Sequence, residues 1–384
     1  MTDPTSTLTN MQYTDIEDEL RVTLRAALER HADWGHVLAR LDDAPIADIA
    51  LWDRLATELS LCGLPVPVDR GGAGATWREV AVVLEELGRC VAPVPFLGSS
   101  VLAIASLLDV DDELLPEVAA GARTAALAVP LSTPSWLQPT VTVEAHSGRL
   151  VGTIPLVADA ELADTILVPT RDGLYVVNST AAGVERRPVV SLDMTRQLHD
   201  LELANAAGRR VADERATGQL ITRSRTLAAA LLGSEQVGIA DRCLQMTAEY
   251  LRTRYQFGRV LGSFQALKHR LADLSVILDQ ARSVARHGAA TAAESEDPRQ
   301  LEISASMAQS LCGEVAVRAA EECIQLHGGI GFTWEHPAHL LLKRARADLV
   351  AFGTPRDHRL RLAELVDLPG ERLPSPASRE EVIA

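Results

Sequence analysis

Two stretches of this sequence hold residue types at spacings that could do chemistry. The first reads Arg254-Tyr255-Gln256-Phe257-Gly258-Arg259 and continues through Leu261-Gly262-Ser263-Phe264-Gln265. The second reads Gln325-Leu326-His327-Gly328-Gly329-Ile330-Gly331-Phe332-Thr333. In each, a helical pattern ends at glycine, whose missing side chain permits positive φ and close approach of a ligand. Taken singly, a glycine pair only stops a helix, and an arginine at a helix end caps carbonyls or meets solvent. Arg252, Arg254 and Arg259 nevertheless make a local basic cluster, and a guanidinium offers planar forked donors that suit phosphate oxygens. His327, His336 and His339 have no nearby carboxylate at helical ligand spacing, so no metal is expected there.

That cluster is an exception in an acidic chain. The 384 residues include 37 Lys+Arg against 52 Asp+Glu, a net charge of −15, and Lys268 and Lys343 are the only lysines. Such a balance argues against a general nucleic-acid binder, which needs basic surface to meet phosphates. Hydrophobic residues at 47% and charged residues at 23% fit an ordinary globular protein. The five cysteines form no CxxC pair, which makes disulfides unexpected and a cytoplasmic location the default. No basic segment leads into an apolar run at the N-terminus, and no run of about 18–20 apolar residues occurs. Neither a secretory signal nor a membrane span is therefore expected.

The elements that must position the two stretches fall into three blocks. From Asp15 to Asp109 apolar residues recur at helical spacing, as in Val80, Val83, Leu84 and Leu87, and Thr76 with Glu79 reads as a capping box. From Arg123 to Asp213 short β-rich runs appear at 124–129, 141–145, 165–169 and 174–177, suggesting a small antiparallel barrel or sandwich. From Gly218 to Leu365 helical patterns return and lengthen, at 226–254, 265–292 and 299–326, as a bundle of long helices requires. The expected organisation is a helical domain over 1–120, a β domain over 121–216, a helical bundle over 217–368 and a flexible tail over 369–384.

Both stretches, their separation and the helical, β, helical order resemble the acyl-CoA dehydrogenase family. The resemblance runs from Glu17 to Leu365 and is most specific over 247–273 and 323–340. It implies an α+β multidomain fold with an N-terminal helical domain, a central antiparallel β-barrel-like domain and a C-terminal four-helix bundle. It also implies dimers or tetramers that bind FAD and remove two hydrogens from Cα and Cβ of an acyl-CoA thioester. In the family the FAD site is shared between subunits. The half lent by the neighbour uses an Arg, a Phe three residues on, and a Gln followed by a Gly-Gly loop. By resemblance these are Arg254, Phe257, Gln325, Gly328 and Gly329, all intact.

The half contributed by a subunit's own β domain departs from the family pattern. Where the family has Thr-Glu-Pro…Gly-Ser, this chain reads Val129-Pro130-Leu131-Ser132-Thr133-Pro134. Where a Trp-Ile-Thr segment lies against the flavin ring, Leu156 replaces the Trp and Ala158 the hydroxyl donor. A leucine offers no indole, and an alanine side chain donates no hydrogen bond. Removal of an α-proton needs a carboxylate within reach of that carbon. The two family positions for it correspond here to Phe352, before Gly353-Thr354, and to the region around Ala228. Glu235 lies about two turns beyond and is a candidate, although an exposed or capping role is the main expectation. Asp357 and His358 stand in the same position.

The leading expectation is a subunit that lacks the base and shares FAD with a homologous partner in a hetero-oligomer. Two other readings stay open: a homo-oligomeric dehydrogenase with an unlocated base, and a flavin-free acyl-thioester-binding scaffold or non-redox enzyme.

Overall fold

The computed structural model describes residues 11–41 and 46–368, so the expected tail at 369–384 lies outside the described residues. The first part is helical: α1 (Asp15–His31), α2 (Trp34–Ala39), α3 (Ile49–Asp53), α4 (Trp77–Cys90), α5 (Ile104–Leu107) and α6 (Leu114–Ala119). Wide π-helical turns at Arg54–Glu58 and Phe96–Ala103 lead out of α3 and into α5. The capping box at α4 forms as the sequence indicates, with the Glu79 carboxylate accepting from the Thr76 backbone N–H at 2.8 Å. Helix α1 is fastened to α4 by charge. Arg21 and Arg25 on α1 hold Glu85 and Glu86, two carboxylates on the buried side of α4.

Eight strands follow: β1 (Ala125–Leu127), β2 (Val143–His146), β3 (Arg149–Ala158), β4 (Thr165–Pro169), β5 (Gly173–Asn178), β6 (Val184–Pro188), β7 (Leu198–Ala207) and β8 (Arg209–Asp213). They form two four-stranded sheets, ordered β1-β4-β5-β8 and β2-β3-β7-β6. The sheets do not close into a barrel. All pairings are antiparallel except that of β1 with β4, in which Ala125 faces Thr165. The period-two alternation of a strand explains the layering. Ala126, Ile166, Val168 and Tyr175 point into a core shared with Leu150, Ile154, Leu201 and Leu203 of the second sheet. Their neighbours Ala125, Leu127, Leu167 and Leu174 point the other way, into the core of the helices. A sheet covered on both faces has apolar residues throughout, which is why β4 reads Thr-Ile-Leu-Val-Pro with every residue buried.

The chain ends in a bundle built from α7 (Glu214–Thr253), α8 (Gln265–Glu294), α9 (Pro298–His327), α10 (Ala338–Asp348) and α11 (Pro355–Leu365). A small hairpin, β9 (Tyr255–Gln256) with β10 (Arg259–Val260), joins α7 to α8. Helix α7 begins at Glu214, ahead of the expected 226, because Asp213 caps it and accepts from the Ala216 N–H at 2.8 Å. No described helix is long and apolar enough to cross a membrane, and all five cysteines are free.

Helices α4 and α7 cross at paired glycines. A Cβ on Gly238 would lie 1.9 Å from the Glu85 carbonyl oxygen, and one on Gly88 would lie 2.3 Å from that of Glu235. The backbones therefore touch, and this contact seats the N-terminal helices against the bundle. Gly238→Ala should lower stability by about 1–3 kcal/mol despite alanine's better helix propensity, because the overpacked helices must separate. Urea unfolding of the purified chain measures this directly.

Candidate cofactor site

The two motif stretches meet at one end of the bundle. Helices α7 and α9 finish side by side there, joined by Tyr250 and His327, whose rings stack with centroids 4.5 Å apart. His327 is buried, and its Nδ1–H donates to the Cys323 carbonyl at 2.7 Å. Its ring also lies 4.4 Å from that of His336. These histidines pack. Among the described residues no group of three His, Cys, Asp or Glu side chains converges as metal ligands would.

Arg254 is the C-terminal cap residue of α7, and its side chain is exposed. No side-chain partner holds its guanidinium among the described residues. Phe257 and Gly258 form the two-residue turn between β9 and β10, with φ of 52° and 75°. Positive φ is common for glycine at such a turn but strained for a large aromatic residue. The Phe257 ring is 85% exposed and meets Phe264 edge-on, with centroids 6.2 Å apart. On the opposite side, Gln325 and Gly328-Gly329 are exposed at the end of α9. Gly328 has φ 64°, and a Cβ on either glycine would meet nothing within 4 Å. Nothing among the described residues requires Gly329 to lack a side chain. An unpaired guanidinium, an outward aromatic ring and bare glycine backbone make a surface suited to a planar, phosphate-bearing ligand approaching from outside.

The region around Phe352 has the opposite character. Phe352 is fully buried with φ 59°. Its N–H donates to the Leu131 carbonyl at 2.7 Å, and its own carbonyl accepts from the Ser135 N–H at 3.0 Å. The loop after α10 is thus zipped onto segment 131–135. Behind that segment, fully buried Arg225 donates to the carbonyls of Leu137 at 2.6 Å and Pro134 at 2.7 Å, and to that of Thr133. Among the described residues it has no carboxylate partner, and burial lowers its pKa to about 10. Ala228, one turn further along α7, is buried as well. Leu156 and Ala158 lie on β3, where the Leu156 carbonyl accepts from the Leu131 N–H. Asp357 caps α11 by accepting from the Thr354 N–H at 3.0 Å. His358 is buried against Trp136, its Nε2–H donating to the Phe352 carbonyl, and burial lowers its pKa to about 4.

Glu235 is neither exposed nor a cap, contrary to the main expectation for it. It is 1% exposed and enclosed by two guanidiniums. Arg196 Nη2 donates to its two oxygens at 2.8 and 2.6 Å, and Arg344 Nη1 donates to Oε1 at 2.6 Å. Burial alone would raise the Glu235 pKa, but Arg196 and Arg344 hold it below the ordinary glutamate value. A carboxylate so weakly basic and so enclosed cannot take a proton from a substrate carbon.

The rest of this cluster carried no signal in the sequence. Arg344 Nε donates to Asp193 at 2.5 Å and its Nη2 to the Thr195 hydroxyl at 2.7 Å, while Arg196 Nη1 donates to Asp348 Oδ1 at 2.5 Å. Asp159 lies close by in the charge field and accepts from the Gly98 N–H. Asp348 ends α10, and its pKa is raised to about 8 by burial and by the neighbouring Glu235 charge.

Two stability predictions follow from this geometry. Glu235→Gln leaves two buried guanidiniums undercompensated and should cost about 3–5 kcal/mol in denaturant unfolding. Asp348 has a folded pKa above its unfolded value of about 3.9, so the native state binds more protons than the unfolded state between about pH 4 and 8. Its contribution to stability therefore falls as pH rises through that window and is level above it. Asp348→Asn should remove this decline, and urea unfolding at pH 5, 7 and 9 will show whether the two chains diverge as expected.

Comparison with known proteins places this architecture. Residues 14–121 match the family model "Acyl-CoA dehydrogenase, N-terminal domain" and residues 215–366 match "Acyl-CoA dehydrogenase, C-terminal domain". Acyl-CoA dehydrogenase IpdE2 of Mycolicibacterium smegmatis is 33% identical over 343 residues, covering 89% of this chain and 96% of that protein. Its namesake from Mycobacterium tuberculosis is 34% identical over 346 residues, covering 88% and 93%. Among solved structures, the ChsE4-ChsE5 complex from Mycobacterium tuberculosis superposes with a TM-score of 0.81 at 27% identity, over 94% of this chain and 100% of that one. A Tcur3481-Tcur3483 steroid acyl-CoA dehydrogenase variant superposes with a TM-score of 0.79 at 27% identity, over 92% and 98%. With both terminal domains matched and full-length relatives above 30% identity, the chain belongs to the acyl-CoA dehydrogenase family.

Proposed function

We propose that this chain is the subunit of a hetero-oligomeric acyl-CoA dehydrogenase that lends contacts to an FAD held mainly by a homologous partner. The partner supplies the catalytic base. The observation that carries the reading is the contrast between the two half-sites. Arg254, Phe257, Gln325 and Gly328-Gly329 stand exposed with room for a ligand, whereas backbone groups of segment 131–135 are taken up by Phe352 and Arg225.

The residues at the bundle end fit an FAD from a neighbouring subunit. Arg254 would pair with the pyrophosphate, Phe257 would cover the adenine side, and the Gly328-Gly329 backbone would close on the ADP portion. FAD, when bound, supplies the hydride acceptor for α,β-dehydrogenation of an acyl-CoA. The β-domain side of this chain does not fit a flavin ring. Leu156 and Ala158 offer it no side-chain donor, the N–H groups of Leu131 and Ser135 are taken, and the carbonyls of 133 and 134 are held by Arg225. Phe352 places no acid beside that space, and Glu235 is locked between guanidiniums.

Two of the similar structures are named as two-component assemblies, and one of them is a steroid enzyme, which supports a partner subunit and a bulky acyl-CoA as substrate. Co-expression with a homologous subunit and measurement of flavin absorbance tests the reading. The expected result is about one FAD per two chains, and a colourless protein when this chain is purified alone. Arg254→Gln should lower FAD affinity of the complex about tenfold or more, as expected for loss of a charged hydrogen bond to phosphate. One FAD per chain, or turnover by this chain alone, overturns the proposal.

A further inference from the structure

A cavity of about 150 Å³ opens where α1, α2, α4 and α7 meet, between the N-terminal helices and the bundle. Leu28, Ala32 and Trp34 line its apolar side, and Arg25, Arg89 and Arg242 its basic side. The cavity lies beside the crossing of α4 and α7. Arg89 follows Gly88 on α4, and Arg242 stands about one turn beyond Gly238 on α7.

The acids around this space are mostly engaged elsewhere. Glu86 accepts from Arg21 at 2.8 Å and from Arg25 at 2.8 and 2.7 Å. Asp241 accepts from Arg89 and, at 3.1 Å, from Arg282. Asp33 accepts from the N–H groups of Gly35 and His36. Glu29 is exposed on α1 and, like Glu249, attracts Arg242 only from a distance. Among the described residues Arg242 therefore has no hydrogen-bond acceptor and no ion-pair partner, and its guanidinium lies 5.9 Å from the centre of the Trp34 ring. Burial and the neighbouring Arg89 charge lower its pKa, as expected for a cation without a counter-ion. It is only half-buried and it lines the cavity, so a ligand can reach it.

A guanidinium without a counter-ion calls for an anion, and its planar forked donors suit a carboxylate or a phosphate. The wall of Leu28, Ala32 and Trp34 selects between them, because it rewards an apolar body that inorganic phosphate lacks. The volume falls below the ~300–1,000 Å³ of sites for drug-sized ligands, so that body is short. We propose that this cavity binds a short-chain aliphatic carboxylate, its charged end on Arg242 and its hydrocarbon against Leu28, Ala32 and Trp34. Bound there, the acid ties α1 and α2 to the crossing of α4 and α7. The proposal is independent of how this chain shares FAD.

The test titrates the full chain, alone and in its co-expressed complex, with butyrate, acetate, n-butanol and inorganic phosphate at neutral pH and constant ionic strength. Fluorotryptophan labelling and fluorine NMR read the Trp34 signal, which Trp34→Phe assigns. Butyrate should bind about tenfold or more tightly than n-butanol, the gain from a charged hydrogen bond to Arg242. It should bind about fivefold or more tightly than acetate, because further methylenes leave water. Arg242→Met keeps the side-chain stem over Trp34 and removes the charge, so it should erase the preference for butyrate over n-butanol. Glu29→Gln, at an exposed position, removes a competing carboxylate and should tighten butyrate binding about twofold. Equal affinity for butyrate and n-butanol overturns the proposal, as does a preference that survives Arg242→Met. Phosphate or acetate binding as tightly as butyrate overturns the choice of an aliphatic acid.

Discussion

The arrangement of this chain depends on two guanidiniums buried where its domains meet. Arg196 comes from the β domain, Arg344 from α10, and both donate to Glu235 in the middle of α7. Asp193 and Thr195 add acceptors from the β domain, and Asp348 adds one from the end of α10. Removing such ions from water costs several kcal/mol each, and only near-complete hydrogen bonding offsets that cost. The network therefore tolerates little displacement. It fixes the angle between β domain and bundle, and it fixes where α10 stops. Everything from Asp348 to Gly353 is placed by that stop, including the burial of Phe352 against segment 131–135.

This constraint accounts for the asymmetry between the two ends of the bundle. At the far end, α7 and α9 finish in a strained turn and a bare glycine loop, with Arg254 and Phe257 directed away from the chain. At the near end, polar groups that could have met a ligand are spent inside the protein. Arg225 is a clear case. A fully buried guanidinium with only carbonyl partners is costly, yet it holds the backbone carbonyls of Thr133, Pro134 and Leu137. Taken with Phe352, it ties segment 131–137 to α7 and to the loop after α10.

Much of the helical framework was legible in the sequence. The strong 3.6-residue periodicity marked α4, α8 and α9 nearly to their ends, and the Thr76–Glu79 pair located a helix start by local hydrogen bonding alone. Strands were read where both faces are buried, as in β4, because continuous apolar runs stand out. Strands β3, β6, β7 and β8 escaped notice because they carry exposed charged residues or follow no clean alternation. The start of α7 escaped too, since Arg-Ala-Thr-Gly-Gln is polar and only Thr217 in it is buried. The motif residues around Arg254 and Gly328 were readable because a strained turn and a glycine pair leave a local imprint.

Glu235 marks the boundary between the two kinds of information. The sequence by itself determined that acids are missing from the positions around Ala228 and Phe352, since identity at a position needs no folding to read. It also determined the order of the domains, because local periodicity follows from local hydrogen bonding and side-chain alternation. Only the tertiary structure decided that Glu235 is a locked counter-ion, that Asp348 retains an unsatisfied oxygen, and that Arg225 holds the carbonyls of segment 133–137. Those roles depend on charges brought together from positions some 150 residues apart, as Arg344 and Asp193 are. Coulombic and desolvation terms are set by distance in space and by burial, and neither is written in the spacing of residues along the chain.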